Sequence, residues 1–277
     1  MPRAMRVTTR NASFQQWQAL LTNRAKRSRA GEFLVQGVRP LTLAVEHGWD
    51  IRALIYPDRR SLSAWARSML SSVDAQPVAM DPSLLDELAG KEEAELIGVV
   101  GLPSTALADL PPDPHLLVVV FDRPSTPGNI GTVVRSADAF GASAVVVAGH
   151  AADPFDPKAV RASTGSLFAL PVIRVDSSAD VLDQVESWRS GGLPVELVAT
   201  DEHGSVDVAD YDLAGPRVLL IGNETSGLSA GWREAADVTV RIPITGAASS
   251  LNVATAATVV LYEAVRQRHQ GMRPASS

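Results

Sequence analysis

Apolar residues along this chain gather into short continuous runs rather than long one-sided stripes. In the second half six such runs recur: 116–122 (LLVVVFD), 144–149 (AVVVAG), 168–175 (FALPVIRV), 194–201 (PVELVATD), 217–224 (RVLLIGNE) and 238–244 (VTVRIPI). They are rich in β-branched residues and are not broken by alternating polar positions, as expected of strands covered on both faces. Helical or loop segments separate them. The pattern predicts an α/β domain built on a parallel sheet, whose ligands bind beyond the carboxyl ends of the strands.

The first half carries shorter elements. Strands are predicted at 33–37, 51–56, 77–80 and in the closing run 95–101, with helices at 40–47, 61–72 and 81–90. In the last helix Asp81 stands at the N-cap position, Pro82 at the first helical position and Gly90 at the stop. This is a small α/β module over 32–102. Four prolines then fall between Leu102 and His115. That density neither continues a helix nor pairs in a central strand, which predicts a linker at 103–114. The remaining boundaries are an N-terminal arm at 1–31, a second domain at 115–270 and a tail at 271–277.

Composition narrows the class. With 45% apolar residues and a mean hydropathy of +0.06 over 277 residues, a sizeable core is affordable and no run is long enough to span a bilayer. The first residues are charged and lack the apolar segment of a secretory signal. The absence of cysteine excludes disulfides and thiolate metal sites and fits a cytoplasmic protein. Five scattered histidines show no metal-ligand spacing, so no metal is expected. Net charge is −6, yet residues 1–31 carry Arg3, Arg6, Arg10, Arg24, Lys26, Arg27 and Arg29 with no acid. A basic arm on an acidic body fits a local polyanion contact or a solvated, frayed terminus.

Three strand-end segments hold the unusual polar residues. The first, STPGNIGTVVRSADAFG (125–141), follows a buried strand and opens a helix. Its glycines make neither G-x-G-x-x-G nor a P-loop, which disfavours a dinucleotide or triphosphate site. Val133, Val134, Ala137 and Phe140 share one helical stripe with Arg135 nearly opposite, facing solvent or a second protein surface. In the second, LLIGNETSGLS (219–229), a carboxylate stands just past a core strand. It is costly unless partnered, and Asn223 and Glu224 either satisfy the turn or form a site. In the third, IPITGAASSLNVATAATVVLYEAVRQR (242–268), Ser249, Ser250 and Asn252 precede a helix that is apolar almost all round. Such a helix must be covered on every side, which favours a homodimer.

The segments NIGTVVRSA, IGNETSGLS and IPITGAASSLNVATAATVVLYEA together resemble the three successive motifs of the SpoU (TrmH-like) RNA ribose 2′-O-methyltransferases of the SPOUT superfamily. FLVQGVRPLTLAVEHG resembles the small domain, similar to ribosomal protein L30e, that many members carry in front. The resemblance implies a parallel-sheet SPOUT domain with a trefoil knot, a homodimer, and S-adenosylmethionine as cofactor. On matching positions it implies cofactor contacts from Gly222, Ile242 and Leu251, with Thr200 at the preceding strand end. It implies polar catalytic roles for Arg135, Asn129, Glu224, Ser250 and Asn252. Within the family the chain is similar to actinomycete antibiotic-resistance members. That implies 23S rRNA as substrate and a uridine ribose as acceptor, for which the basic segment offers Arg24, Lys26, Arg27 and Arg29 as RNA contacts. The alternatives are a tRNA ribose methyltransferase and a non-catalytic RNA-binding protein on the same fold.

Overall fold

The structure, a computed structural model, describes residues 4–271. Arg3 and the tail beyond Gly271 lie outside the described residues. The chain divides into two compact units, one of residues 1–104 with 155–169 and the other of 105–154 with 170–277.

Unit 1 begins with β1 (Met5–Val7), α1 (Ala12–Thr22) and α2 (Arg24–Ala30). There follow β2 (Glu32–Gln36), α3 (Val38–Glu46), β3 (Ile51–Pro57), α4 (Ala64–Ser72), β4 (Gln76–Met80), α5 (Pro82–Ala89) and β5 (Ile97–Gly101). The strands form a mixed sheet in the order β1-β4-β3-β5-β2. The start and stop signals of α5 act as expected. The Asp81 carboxylate accepts from the Ser83 amide at 2.9 Å, and Gly90 closes the helix in the left-handed conformation with φ 64°.

Residues 5–30, expected as a basic N-terminal arm, form β1, α1 and α2 within unit 1. Side chains of Asn11 and Asn23 cap α1 and α2, and Phe14, Trp17 and Leu20 enter the unit 1 core. Three of the basic residues are consumed by structure. Arg6 pairs with Asp58 at 3.0 Å and Arg10 with Glu87 at 2.6 Å. Arg27 is only 2% exposed; its Nη1 donates to the Leu20 carbonyl at 2.6 Å and its Nη2 lies 3.6 Å from Asp156.

Unit 2 starts with β6 (Leu117–Asp122), α6 (Pro127–Ala139) and β7 (Ala144–Ala148). The chain then contributes α7 (Pro157–Ser163) and α8 (Ser166–Ala169) to unit 1. The cause is aromatic: Phe155 and Phe168 lie 5.0 and 6.2 Å from the ring of Phe33, and Trp49 Nε1 donates to the Phe168 carbonyl at 3.0 Å. This departs from a single domain over 115–270. It also shortens the strand expected at 168–175, because Phe168 and Ala169 turn as helix and Pro171 delays β8 (Val172–Val175).

Unit 2 continues with α9 (Ser178–Ser190), β9 (Glu196–Thr200), β10 (Val206–Asp207), β11 (Arg217–Ile221), α10 (Ala230–Ala235), β12 (Val238–Arg241) and α11 (Val253–Gly271). The seven strands form one sheet in the order β10-β12-β9-β11-β6-β7-β8, and every pair is parallel, as the unbroken apolar runs predicted. Strands 6, 7 and 8 proceed in one direction from β6, while the later strands lie on its other side. The switch in direction therefore falls between β6 and β11, where the loops leaving their carboxyl ends open a crevice. At the far side of the sheet, a Cβ on Gly204 would lie 2.5 Å from the Val240 carbonyl carbon, so only glycine allows the two backbones to approach this closely.

The burial of Arg27 yields a test. Arg27→Ala is expected to destabilise the protein by about 2–3 kcal/mol through loss of charge-assisted hydrogen bonds. Lys26→Ala, on the exposed face of the same helix, is expected to stay within about 0.5 kcal/mol of the parent. Urea denaturation distinguishes the two.

Candidate active site

The loop after β11 is built on a glycine and an asparagine. A Cβ on Gly222 would lie 2.6 Å from the Gly227 carbonyl carbon and the Leu228 amide nitrogen. Asn223 and Gly227 exchange backbone hydrogen bonds of 3.0 and 3.1 Å, with Gly227 at φ 64°. The Asn223 side-chain oxygen accepts from the amides of Thr225 and Ser226, at 2.9 and 3.1 Å. Asn223 thus satisfies its own turn, the structural role left open for it.

Glu224 does not. Its carboxylate crosses to the loop after β6. One oxygen accepts from the Ser125 amide and hydroxyl, each at 3.0 Å; the other accepts from the Thr126 amide at 3.2 Å and Asn129 Nδ2 at 3.0 Å. Thr126 is the N-cap of α6 but makes no capping bond with its own side chain. Glu224 therefore supplies from another loop the acceptor and negative charge that a helix N-terminus requires. Burial pushes its carboxyl up, but the hydrogen bonds from Ser125 and Asn129 outweigh that, so it is held below the usual carboxylate range.

The chain of contacts continues. Asn252 Nδ2 donates to Asn129 Oδ1 at 3.4 Å, while Asn252 Oδ1 accepts from the Ala254 and Thr255 amides at 2.9 and 3.3 Å, capping α11. Glu224 from the loop after β11, Asn129 from the first turn of α6 and Asn252 from the start of α11 form one hydrogen-bonded line. Farther along, α6 and α11 are joined by Ser136 and Thr258, whose hydroxyls meet at 2.6 Å.

Beside this line lies a cleft of about 290 Å³ at the carboxyl ends of β9, β11 and β12. Thr200, Gly222, Ile242 and Leu251 all line it, together with Glu224 and Ser250. The Thr200 hydroxyl is committed to the Leu220 carbonyl at 3.0 Å, so it shapes the wall. Ile244 and Leu251, two of the few large apolar side chains left exposed, stand in the lining. Apolar walls and strand-end backbone suit a ligand with a flat apolar portion and polar edges.

Arg135 is not in the cleft. It is exposed on the outer face of α6 and makes no hydrogen bond or ion pair with any described residue. On α2, Arg24, Lys26 and Arg29 are exposed while Arg27 is buried. Sequence reasoning passed over Ser125, Asp122 and Arg123, which fasten the same loops. Asp122 carried one usable signal, an acid ending an otherwise wholly apolar strand.

Residues 116–262 match the model of the SpoU rRNA methylase family, and residues 11–97 match the SpoU L30e-like domain. The 23S rRNA (uridine(2479)-2′-O)-methyltransferase of Streptomyces viridochromogenes is 59% identical over 98% of this chain and 95% of its own. Among solved structures, the SpoU methyltransferase AviRb from Streptomyces viridochromogenes, in complex with the cofactor AdoMet, superposes with a TM-score of 0.89 at 57% identity. That match covers 94% of this chain and 100% of the other. An AdoMet-bound rRNA methyltransferase from Sinorhizobium meliloti gives 0.83 at 31% identity, covering 95% and 98%.

The depressed titration of Glu224 generates a prediction. A carboxyl whose folded pKa lies below its unfolded value of about 4.3 stabilises fully above that value and loses the contribution as pH falls through the folded pKa. Glu224→Gln, which carries no charge at any pH, is expected to melt below the parent at pH 7. The gap should close on acidification below about pH 4, read from melting curves across that range.

Proposed function

Because the chain belongs to the SpoU rRNA methylase family, we propose that it transfers a methyl group from S-adenosylmethionine to the 2′-oxygen of a uridine ribose in 23S rRNA. The observation that carries this is the line from Glu224 through Asn129 to Asn252, beside a cleft lined by the three positions matched to the cofactor and by Thr200. The full-length similarity to a uridine-specific relative supports the acceptor.

Gly222, Ile242 and Leu251 would hold the cofactor through loop backbone and apolar contact, with the exposed Ile244 side chain in the same lining. When bound, it supplies an already activated methyl group on a cationic sulfur. The protein's contribution is then largely positioning, which in well-oriented systems lowers a barrier by about 7–11 kcal/mol. Asn129 and Ser250 face the ribose. Glu224 keeps Asn129 oriented and the loops closed around it.

Arg135 engages the RNA. A guanidinium is a fixed cation with no acceptor, so it orients a phosphate and stabilises charge developing on the 2′-oxygen, while the hydroxyl proton passes to water rather than to Arg135. Its separation from the cleft of its own chain accords with a homodimer in which it serves the partner's site. Tyr262, 56% exposed, stacks edge-on with Phe140 at 6.0 Å on the outward side of α6 and α11, an apolar face that a second copy would cover. The family's trefoil knot accords with the tight passage of Gly204 against Val240. Arg24, Lys26 and Arg29 contact RNA phosphates; Arg27 is left out of this set by its burial. An rRNA substrate supports a cytoplasmic protein, and the proposed consequence of the modification is protection from a ribosome-targeting antibiotic.

The test is transfer of labelled methyl from S-adenosylmethionine to 23S rRNA, mapped by primer extension at low nucleotide concentration. A stop at a single uridine supports the reading. Label in tRNA alone reassigns the substrate, and cofactor binding without transfer to any RNA marks a non-catalytic protein. Arg135→Ala is expected to slow turnover at least about a hundredfold while leaving cofactor affinity unchanged, and Arg135→Lys to retain measurable turnover. Tyr262→Glu is expected to shift the sedimenting species from dimer toward monomer.

A further inference from the structure

One residue, in the lead-in to the first motif, sits on the loop after β6 and touches the segments that leave β7 and β11. Arg123 directly follows β6 and has φ 50°, a left-handed backbone that is uncommon for a residue with a side chain. Its amide donates to the Ala148 carbonyl at 2.9 Å, and its carbonyl accepts from Asn223 Nδ2 at 2.6 Å. The guanidinium grips Asp122 with two bonds of 3.1 Å, and Nη2 also donates to the Gly227 carbonyl at 3.3 Å. Asp122 is 2% exposed and accepts in turn from the Ser229 amide at 2.8 Å. The side-chain stem crosses the loop after β7, where a Cβ on Gly149 would meet Arg123 Cγ at 3.0 Å.

The segment gripped in this way, 222–229, is the loop that supplies Gly222 and Glu224. Its two ends are held independently: Asn223 by the Arg123 carbonyl, and Gly227 and Ser229 by the Asp122–Arg123 pair. A left-handed backbone costs of order 1–3 kcal/mol and persists where its surroundings over-determine it. Here that conformation turns the carbonyl toward Asn223 while the side chain folds back over Asp122. A forked cation can bridge a carboxylate and a carbonyl together, which a single ammonium does less well.

We propose that Arg123, locked to Asp122, is a positioning residue for cofactor binding: it holds the 222–229 loop in the shape that receives S-adenosylmethionine. The inference rests on the cofactor assignment above. In the absence of this clasp the loop samples other shapes, and binding must re-order it, so the loss appears in affinity rather than in the transfer step.

The experiment uses the full-length protein without RNA. Isothermal titration with S-adenosylmethionine is compared for the parent, Arg123→Ala, Arg123→Gly and Arg123→Lys, with hydrogen exchange of residues 222–229 and melting temperature on the same samples. Arg123→Gly relieves the left-handed backbone while deleting the guanidinium bonds to Asp122 and Gly227, and it serves as the folded variant where alanine at φ 50° disturbs folding. The glycine variant is expected to bind the cofactor about tenfold more weakly, with faster exchange confined to the 222–229 loop. The lysine variant should fall between glycine and the parent. In turnover, the defect should sit in KM for the cofactor rather than in kcat. Unchanged affinity in the glycine variant overturns the inference, as does a drop in kcat at saturating cofactor with affinity intact. A parent protein that fails to bind S-adenosylmethionine overturns the cofactor assignment itself, a result distinct from unchanged variants of a binding parent.

Discussion

The Glu224 carboxylate is the contact through which the loops of the site become one object. It sits at the amino end of α6, where Ser125 and Thr126 present amide groups that no local side chain satisfies. A half-buried carboxylate is unfavourable alone, and unpaired amides at a helix start are unfavourable alone. Together they satisfy each other, and the helix dipole favours the charge. The helix that carries Asn129 and the loop that carries Gly222 are thereby held in register across nearly a hundred residues of chain.

The sheet makes this contact available. Parallel strands deliver all their carboxyl ends to one edge, and the order β9-β11-β6-β7 sets the loops after β6 and β11 side by side at the reversal of winding. Asn252 then adds the third element, capping α11 while reaching Asn129. Glu224 and Asn252, at the two ends of this line, also complete backbone elements. A substitution there therefore alters local structure and site geometry together, and activity measurements alone do not separate the two.

The N-terminal residues show how charge patterning can mislead. Seven cations without an acid look like an arm for a polyanion. In the folded unit, Arg6 and Arg10 reach acids 52 and 77 residues away, and Arg27 is spent on a carbonyl of the preceding helix. Acids absent from a segment can be supplied by the rest of the domain, so local charge does not measure free charge. Lys26 and Arg29, exposed on the same short helix, keep the electrostatic argument for RNA on a smaller set.

Much was legible from residues alone: the parallel sheet from unbroken apolar runs, the caps of α5 from Asp81, Pro82 and Gly90, and the three polar segments from their place after strands. These are local properties, decided within a few residues by burial pattern and backbone preference. Tertiary structure decided what distant residues do for one another. It gave Glu224 to the start of α6 and shared the adjacent Asn223 between its own turn and the Arg123 carbonyl. It drew Phe155 and Phe168 into unit 1 because aromatic surface is buried wherever partners of the right shape are found, whatever the chain order. It also put Arg123 at the meeting of three loops. No spacing rule marks that position, because its partners come together only when the sheet has been assembled.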